Sequence, residues 1–192
     1  MFYPDELPRV FTDAQGREYD FHSDFREWMR LETLLTDTDI PDDIRGKLMY
    51  ELIFPAEKPP FDEALRFIIR FHECGRKPRG KSSKGTGKLC YSYEYDSDLI
   101  YAAFMQAYHI DLYDIPYLHW WKFRALFLAL PEETKLRKVM GWRETDIDRR
   151  KMSDDLADFY KEMQTIYRLP KSISEQQRIY RIKQANKAKE QS

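Results

Sequence analysis

The chain has 192 residues, 42% of them hydrophobic and 15% aromatic, which is ample material for a core and argues against wholesale disorder. Its 32 basic and 33 acidic side chains nearly cancel, which argues against a protein whose main task is to coat nucleic acid or anionic membrane. Two distant cysteines, Cys74 and Cys90, imply no disulfide framework, and neither a signal peptide nor an apolar run of membrane-spanning length is present, so a soluble intracellular protein is expected.

In chain order, residues 7–21 (LPRVFTDAQGREYDF) have the turn composition and flanking apolar residues of a hairpin. Ser23 or Asp24 caps a helix in which Phe25, Trp28, Leu31, Leu34 and Leu35 recur at helical spacing. Pro41 and two aspartates open a second helix carrying Ile44, Leu48 and Leu52. Asp62 starts a third, with Leu65, Ile68, Ile69 and His72 on or near one stripe. Residues 75–88 hold four glycines and six basic side chains without an acid, the composition of a mobile, solvated loop. LCYSYEYD (Leu89–Asp96) alternates like a strand, with Tyr91, Tyr93 and Tyr95 on one face. Ser97 or Asp96 caps the next helix, and Asp114, with Pro116 in the first turn, caps another. Pro131 with Glu132 and Glu133 opens a helix that Gly141 follows. Ser153 caps a further helix bearing Leu156, Phe159, Met163, Ile166 and Tyr167, which Pro170 stops. From Ser172 the chain is helix-permissive but poor in apolar residues.

These elements predict a mainly α fold with a small β component (α+β): a multi-helix, bundle-like domain with an N-terminal hairpin and a short strand near residues 89–95. The expected organisation is 1–74 (hairpin and helices), 75–88 (basic loop), 89–170 (helical core region) and 171–192 (a partner-dependent or frayed tail), together one composite domain.

The aromatic block YLHWWKFRALF, Tyr117–Phe127, is the densest feature. On a helical wheel its rings encircle the axis and leave only a narrow strip at Lys122, as in a helix buried among others. Trp120, Trp121, Phe123 and Phe127 are therefore expected in the core. A base-stacking platform needs its rings on one open face, which this block lacks. Arg124 projects among the rings and needs a carboxylate, a carbonyl or an aromatic face as partner.

No catalytic, metal or cofactor constellation emerges. Gly75 to Ser82 formally satisfies G-x-x-x-x-G-K-[ST], but a phosphate-cradling loop needs a strand before it and a helix after it, and neither is predicted. Asp96 is the only candidate for the accompanying magnesium-binding aspartate. His22, His72, His109 and His119 are scattered, and His72-x-Cys74 has no second pair at metal-site spacing. The acidic pairs Asp42-Asp43, Glu132-Glu133 and Asp154-Asp155 all sit at helix starts, where they complement the helix dipole. The residues alone thus describe a helical, non-enzymatic interaction protein without cofactor.

Four segments carry a more specific resemblance: YSYEYDSDLIYAAFMQAYHIDL (91–112), YLHWWKFRALFLAL (117–130), TKLRKVMGWR (134–143) and DDLADFYKEMQTIYRLP (154–170). In their order and spacing, together with DFREWMRLETLL and ELIFP in the first half, they resemble the "gene-product fifteen" family of Gram-positive siphophages and prophages. The chain departs from the family at Trp142, where tyrosine is common, and in the basic loop. The resemblance implies a tail assembly chaperone acting in the cytoplasm of the infected or lysogenic host. Its partners would be the tape-measure protein and tail-tube subunits, with self-association beside them; a role as a minor structural protein of the mature tail is the alternative. The family has no catalytic residues to carry over. In the tail, Ile179, Tyr180 and Ile182 form a thin apolar stripe amid basic residues and are candidate partner contacts.

Overall fold

Asp13 organises the first turn. Its Oδ1 accepts the amides of Gln15 and Arg17, both at 2.9 Å, and its Oδ2 accepts the Tyr19 hydroxyl at 3.0 Å. Gly16 supplies the left-handed residue that the turn needs, at φ +81°. The flanking strands β1 (Val10–Thr12) and β2 (Glu18–Asp20) pair antiparallel with Phe11 opposite Tyr19. Phe11 inserts against Phe67, 4.7 Å between centroids, and against Phe54, which docks the hairpin on the helices. The computed structural model describes residues 7–76 and 89–170, and among them are this sheet and seven helices. The fold is mainly α with a small β part.

The helices are α1 (Phe25–Thr36), α2 (Asp42–Ile53), α3 (Phe61–His72), α4 (Ser97–Tyr108), α5 (Trp120–Leu128), α6 (Lys135–Glu144) and α7 (Asp154–Ile166). Side chains of Asp24, His119, Thr134 and Ser153 accept amides of the first turns they precede. Helix α1 packs on α2 and α5, α2 on α3, α4 on α6, and α6 on α7. One continuous core runs from Tyr19 to Met140 and draws on both halves of the chain. At its centre Trp28 and Trp120 stack at 6.2 Å, while Phe123 stacks on Phe25 at 4.8 Å and on Phe104 at 5.0 Å. Trp120 is 0% exposed and donates its indole N–H to the carbonyl of His72 at 3.1 Å.

The entries to α1 and α5 are tied together. The Phe25 amide donates to the Leu118 carbonyl at 2.9 Å and the Trp120 amide to the Ser23 carbonyl at 2.8 Å. The Leu118 amide donates to Asp24 Oδ2 at 2.9 Å, and Ser23 Oγ bonds Tyr117 OH at 2.8 Å. His119 caps α5 from this junction. Its Nδ1 accepts the Trp121 amide at 3.1 Å, so the ring proton is on Nε2, which donates to the Pro8 carbonyl at 3.0 Å.

Several sequence expectations are corrected. There is no strand at 89–95: Asp96 accepts the Ser92 amide through its carboxylate, and its own amide returns to the Ser92 carbonyl, so the tyrosine repeat becomes a turn. No helix starts at Asp114. Asp111 accepts the amides of Tyr113 and Asp114, and residues 117–119 are extended against 23–25, so α5 begins only at Trp120. Helix α6 starts after Thr134 rather than at Pro131 and runs through Gly141, which meets nothing within 4 Å of a Cβ position. Helix α5 is not buried all round: Leu128 is 52% exposed and Trp121 half-buried. In α3 Ile69 faces out while Ala64, Ile68 and Phe71 face in. In α2 the core takes Met49 and Ile53 and leaves Ile44 and Leu48 exposed.

Candidate functional site

Leu48, left out of the core, helps to build the site. Helix α4 takes α6 as its close partner and α1 takes α2 and α5, so a groove of about 780 Å³ opens between α1, α2 and α4. Its floor is Phe25, Tyr93, Ile100 and Leu112, all buried. Met29 and Leu34 from α1, and Leu48 and Leu52 from α2, form one wall. Tyr101 and Tyr113 form the other, packed at 4.8 Å, with Tyr101 donating to Asp111 at 3.2 Å. Leu48 is 41% and Tyr113 69% exposed, so both rims are open to a partner.

Arg26 holds the groove's end. Its Nη2 donates to the carbonyls of Leu112 and Ile115 at 3.0 and 2.7 Å, its Nη1 to Asp24 at 3.1 Å, and the guanidinium lies 4.6 Å over the Phe25 ring. These bonds fix the 109–115 segment against α1 and keep Leu112 in the floor. Polar groups are confined to the margins, where Arg30 is occupied by Glu27 at 2.8 Å and Glu94 and Ser97 flank the α4 side. The surface thus suits an apolar helix face, with main-chain polar groups left to solvent.

Two polar clusters brace the fold beside the groove. In the first, Glu32 accepts Tyr91 OH at 2.7 Å and pairs with His72 Nε2 at 3.0 Å. Arg124 lies 3.8 Å from Glu32, 4.0 Å from Glu73 and 5.7 Å over the Trp120 ring. Arg124 therefore meets both carboxylates and an aromatic face. Burial by itself would raise the Glu32 carboxyl, but hydrogen bonds from His72 and Tyr91 with the Arg124 charge outweigh it and hold the group below the usual carboxylate range. Burial, with the Glu32 charge beside it, pushes the Tyr91 hydroxyl up. In the second cluster Arg143 grips Asp96 with both terminal nitrogens at 2.6 and 2.9 Å, and also donates to the carbonyls of Cys90 at 3.1 Å and Tyr167 at 2.6 Å. Asp96 is 3% exposed and wholly engaged, so it plays a structural part here rather than that of a metal ligand.

Of the aromatic block, Trp120, Phe123 and Phe127 are in the core. Trp121 lies half-buried, donating to the Phe71 carbonyl at 2.9 Å. Its ring closes over Gly75, where a Cβ would meet it at 3.3 Å in a backbone of φ +66°. The chain enters Gly75 from helix α3 and not from a strand; the remainder of the glycine–lysine motif, from Lys77, lies outside the described residues, as do Ile179, Tyr180 and Ile182. Among the described residues no three or more His, Cys, Asp or Glu side chains gather as a metal site, and no helix is long and apolar enough to cross a membrane. The groove was missed at the sequence level. A signal for it existed: α2 carries apolar residues on two stripes, Ile44–Leu48–Leu52 and Met49–Ile53, and a single core can take only one.

The described residues thus form a mainly helical fold with an open apolar groove between α1, α2 and α4. The chain belongs to the Bacteriophage Gp15 protein family, whose model matches residues 4–169. No curated protein and no solved structure matches it.

Proposed function

We propose that this protein is a tail assembly chaperone, acting by protein–protein contact on the tape-measure protein and on tail-tube subunits in the cytoplasm of the host cell. The family supports a phage structural or morphogenetic protein. The single observation that carries the finer reading is the groove between α1, α2 and α4. Holding a long apolar client helix in solution takes an accessible apolar trough on a body that does not itself aggregate. The trough offers Met29, Leu34, Leu48 and Leu52, and the body around it has nearly balanced charge. No chemistry is required of the protein, and the reading assigns it no catalytic residue.

The test is co-expression with the cognate tape-measure protein and purification of the complex. Full-length protein should bring the tape measure into the soluble fraction. Leu48→Glu with Tyr113→Glu should abolish recovery, while the melting transition moves by less than about 1 kcal/mol, as expected for exposed positions. If the unaltered protein never co-purifies with the tape measure and instead sits at fixed copy number in mature particles, the chaperone reading fails and a structural role in the tail replaces it.

A further inference from the structure

Helix α7 leaves a second apolar surface, apart from the groove. Only Ala157 of this helix is buried. Leu156, Phe159 and Ile166 are 44%, 42% and 58% exposed and, with half-buried Met163, follow one strip at helical spacing. The acids of α7 lie along the border of this strip. Asp155 and Glu162 alternate with Phe159 and Ile166 in one row, and Asp154 and Asp158 beside them are engaged by Arg149. An apolar strip with an acidic border repels a second copy of itself and selects an apolar helix with basic flanks.

A segment with apolar residues set amid basic ones follows immediately in the same chain. Residues 171–192 contain six basic and two acidic side chains, and the stripe Ile173, Ile179, Tyr180 and Ile182. The geometry at the end of α7 favours a return. The Tyr167 amide closes the helix on the Met163 carbonyl, and Arg143 holds the Tyr167 carbonyl at 2.6 Å. Pro170 then prevents straight continuation. The five residues 168–172 span up to about 15 Å, more than the roughly 8–10 Å between packed helix axes. The α7 strip from Leu156 to Ile166 is about 15 Å long, within reach of the segment that follows. A tether of this length also gives the segment a local concentration of order mM at the strip, far above that of any free competitor.

We infer that residues 172–192 of this chain cover the exposed strip of α7. This assigns Ile179, Tyr180 and Ile182 to an intramolecular contact and leaves the groove as the client surface, so the inference stands or falls independently of the chaperone reading. The test is carbodiimide cross-linking of the full-length protein, as an equal mixture of normal and ¹⁵N-labelled chains, with the bonds mapped by mass spectrometry. Expected are bonds from Lys183, Lys187 or Lys189 to Asp155 or Glu162 within single-isotope chains. The same bonds in mixed-isotope pairs would show a second copy on α7. Tail lysines bonded only elsewhere, or not at all, would leave the strip without this occupant, and any of these three results overturns the inference. Hydrogen exchange gives a second readout: in full-length Ile179→Asp/Ile182→Asp the α7 amides should exchange several-fold faster than in the unaltered protein. Unchanged α7 exchange would also overturn it.

Discussion

Replacing Arg143 by methionine should destabilise the protein by about 3–5 kcal/mol, the range for breaking a buried ion pair by removing one partner. The side chain of Arg143 is 9% and that of Asp96 3% exposed, so solvent cannot rescue the carboxylate left behind. Four bonds are lost together: two to Asp96 and one each to the carbonyls of Cys90 and Tyr167. Asp96 keeps a single donor, the Ser92 amide at 2.9 Å. Most of the cost is therefore the unpaired charge. Arg143→Met with Asp96→Asn should recover about 1–3 kcal/mol of the loss, because the asparagine removes that charge while its carbonyl still accepts from Ser92. Arg143→Lys should fall between, since an ammonium cannot reproduce the two-pronged grip or reach both carbonyls. Urea denaturation followed by tryptophan fluorescence, comparing midpoints at constant slope, measures all four proteins. If the single methionine variant costs less than about 1 kcal/mol, or the double variant is no better than the single, the electrostatic argument is wrong.

Trp120→Ala should cost about 3–5 kcal/mol, Trp121→Ala about half as much, and Lys122→Ala less than about 0.5 kcal/mol; equal losses at the two tryptophans would show the buried face of α5 to be misplaced. The His119 pKa is lowered, mainly by burial, so its neutral ring is the stabilising form. Its contribution is present above the ordinary histidine value of 6.5 and is lost as pH falls through the depressed folded value. His119→Asn, which caps without titrating, should show a smaller loss of stability than the unaltered protein between neutral pH and about pH 5, measured by thermal melts across that range. The Glu32 carboxyl is also depressed, so its stabilisation is present above 4.5 and lost as pH falls through its folded value. Glu32→Gln should cost about 1–3 kcal/mol near pH 7, with the gap to the unaltered protein closing in acid; a gap constant from pH 7 to 2 would contradict the network.

What could be read from the sequence was local. Asp24 and Ser153 announce α1 and α7 because a cap depends on residues one turn away, and Phe25, Trp28 and Leu31 share the face that the core takes. The hairpin was legible for the same reason, through Asp13 and Gly16. The failures have distant causes. Alternating tyrosines make a strand only if another strand lies alongside, and here the Asp96 carboxylate offers Ser92 a nearer partner. Asp114 and Pro116 look like a helix start until Asp24 and Ser23 claim residues 117–120. Histidine is not a favoured cap, and His119 becomes one only because the Pro8 carbonyl fixes its ring proton on the far nitrogen. The site is a gap between α1 and α4, and the second apolar stripe of α2 is the one local sign of it.

The clamp between the starts of α1 and α5 sets the order of events in synthesis. Ser23 and Tyr117 are 94 positions apart, as are Asp24 and Leu118. At about 5–20 residues per second, Ser23 and Asp24 wait about 5–20 seconds for their partners to be made. During that interval Trp28 and Phe71 have no Trp120 or Trp121 to pack on, and α1 has no second helix entry to bind. The first half thus emerges as a set of helices with an unfinished apolar face, and the decisive closure is a late, long-range one whose entropy cost grows with the logarithm of the span. A protein that keeps an apolar groove open after folding must first pass through a nascent stage with a larger one.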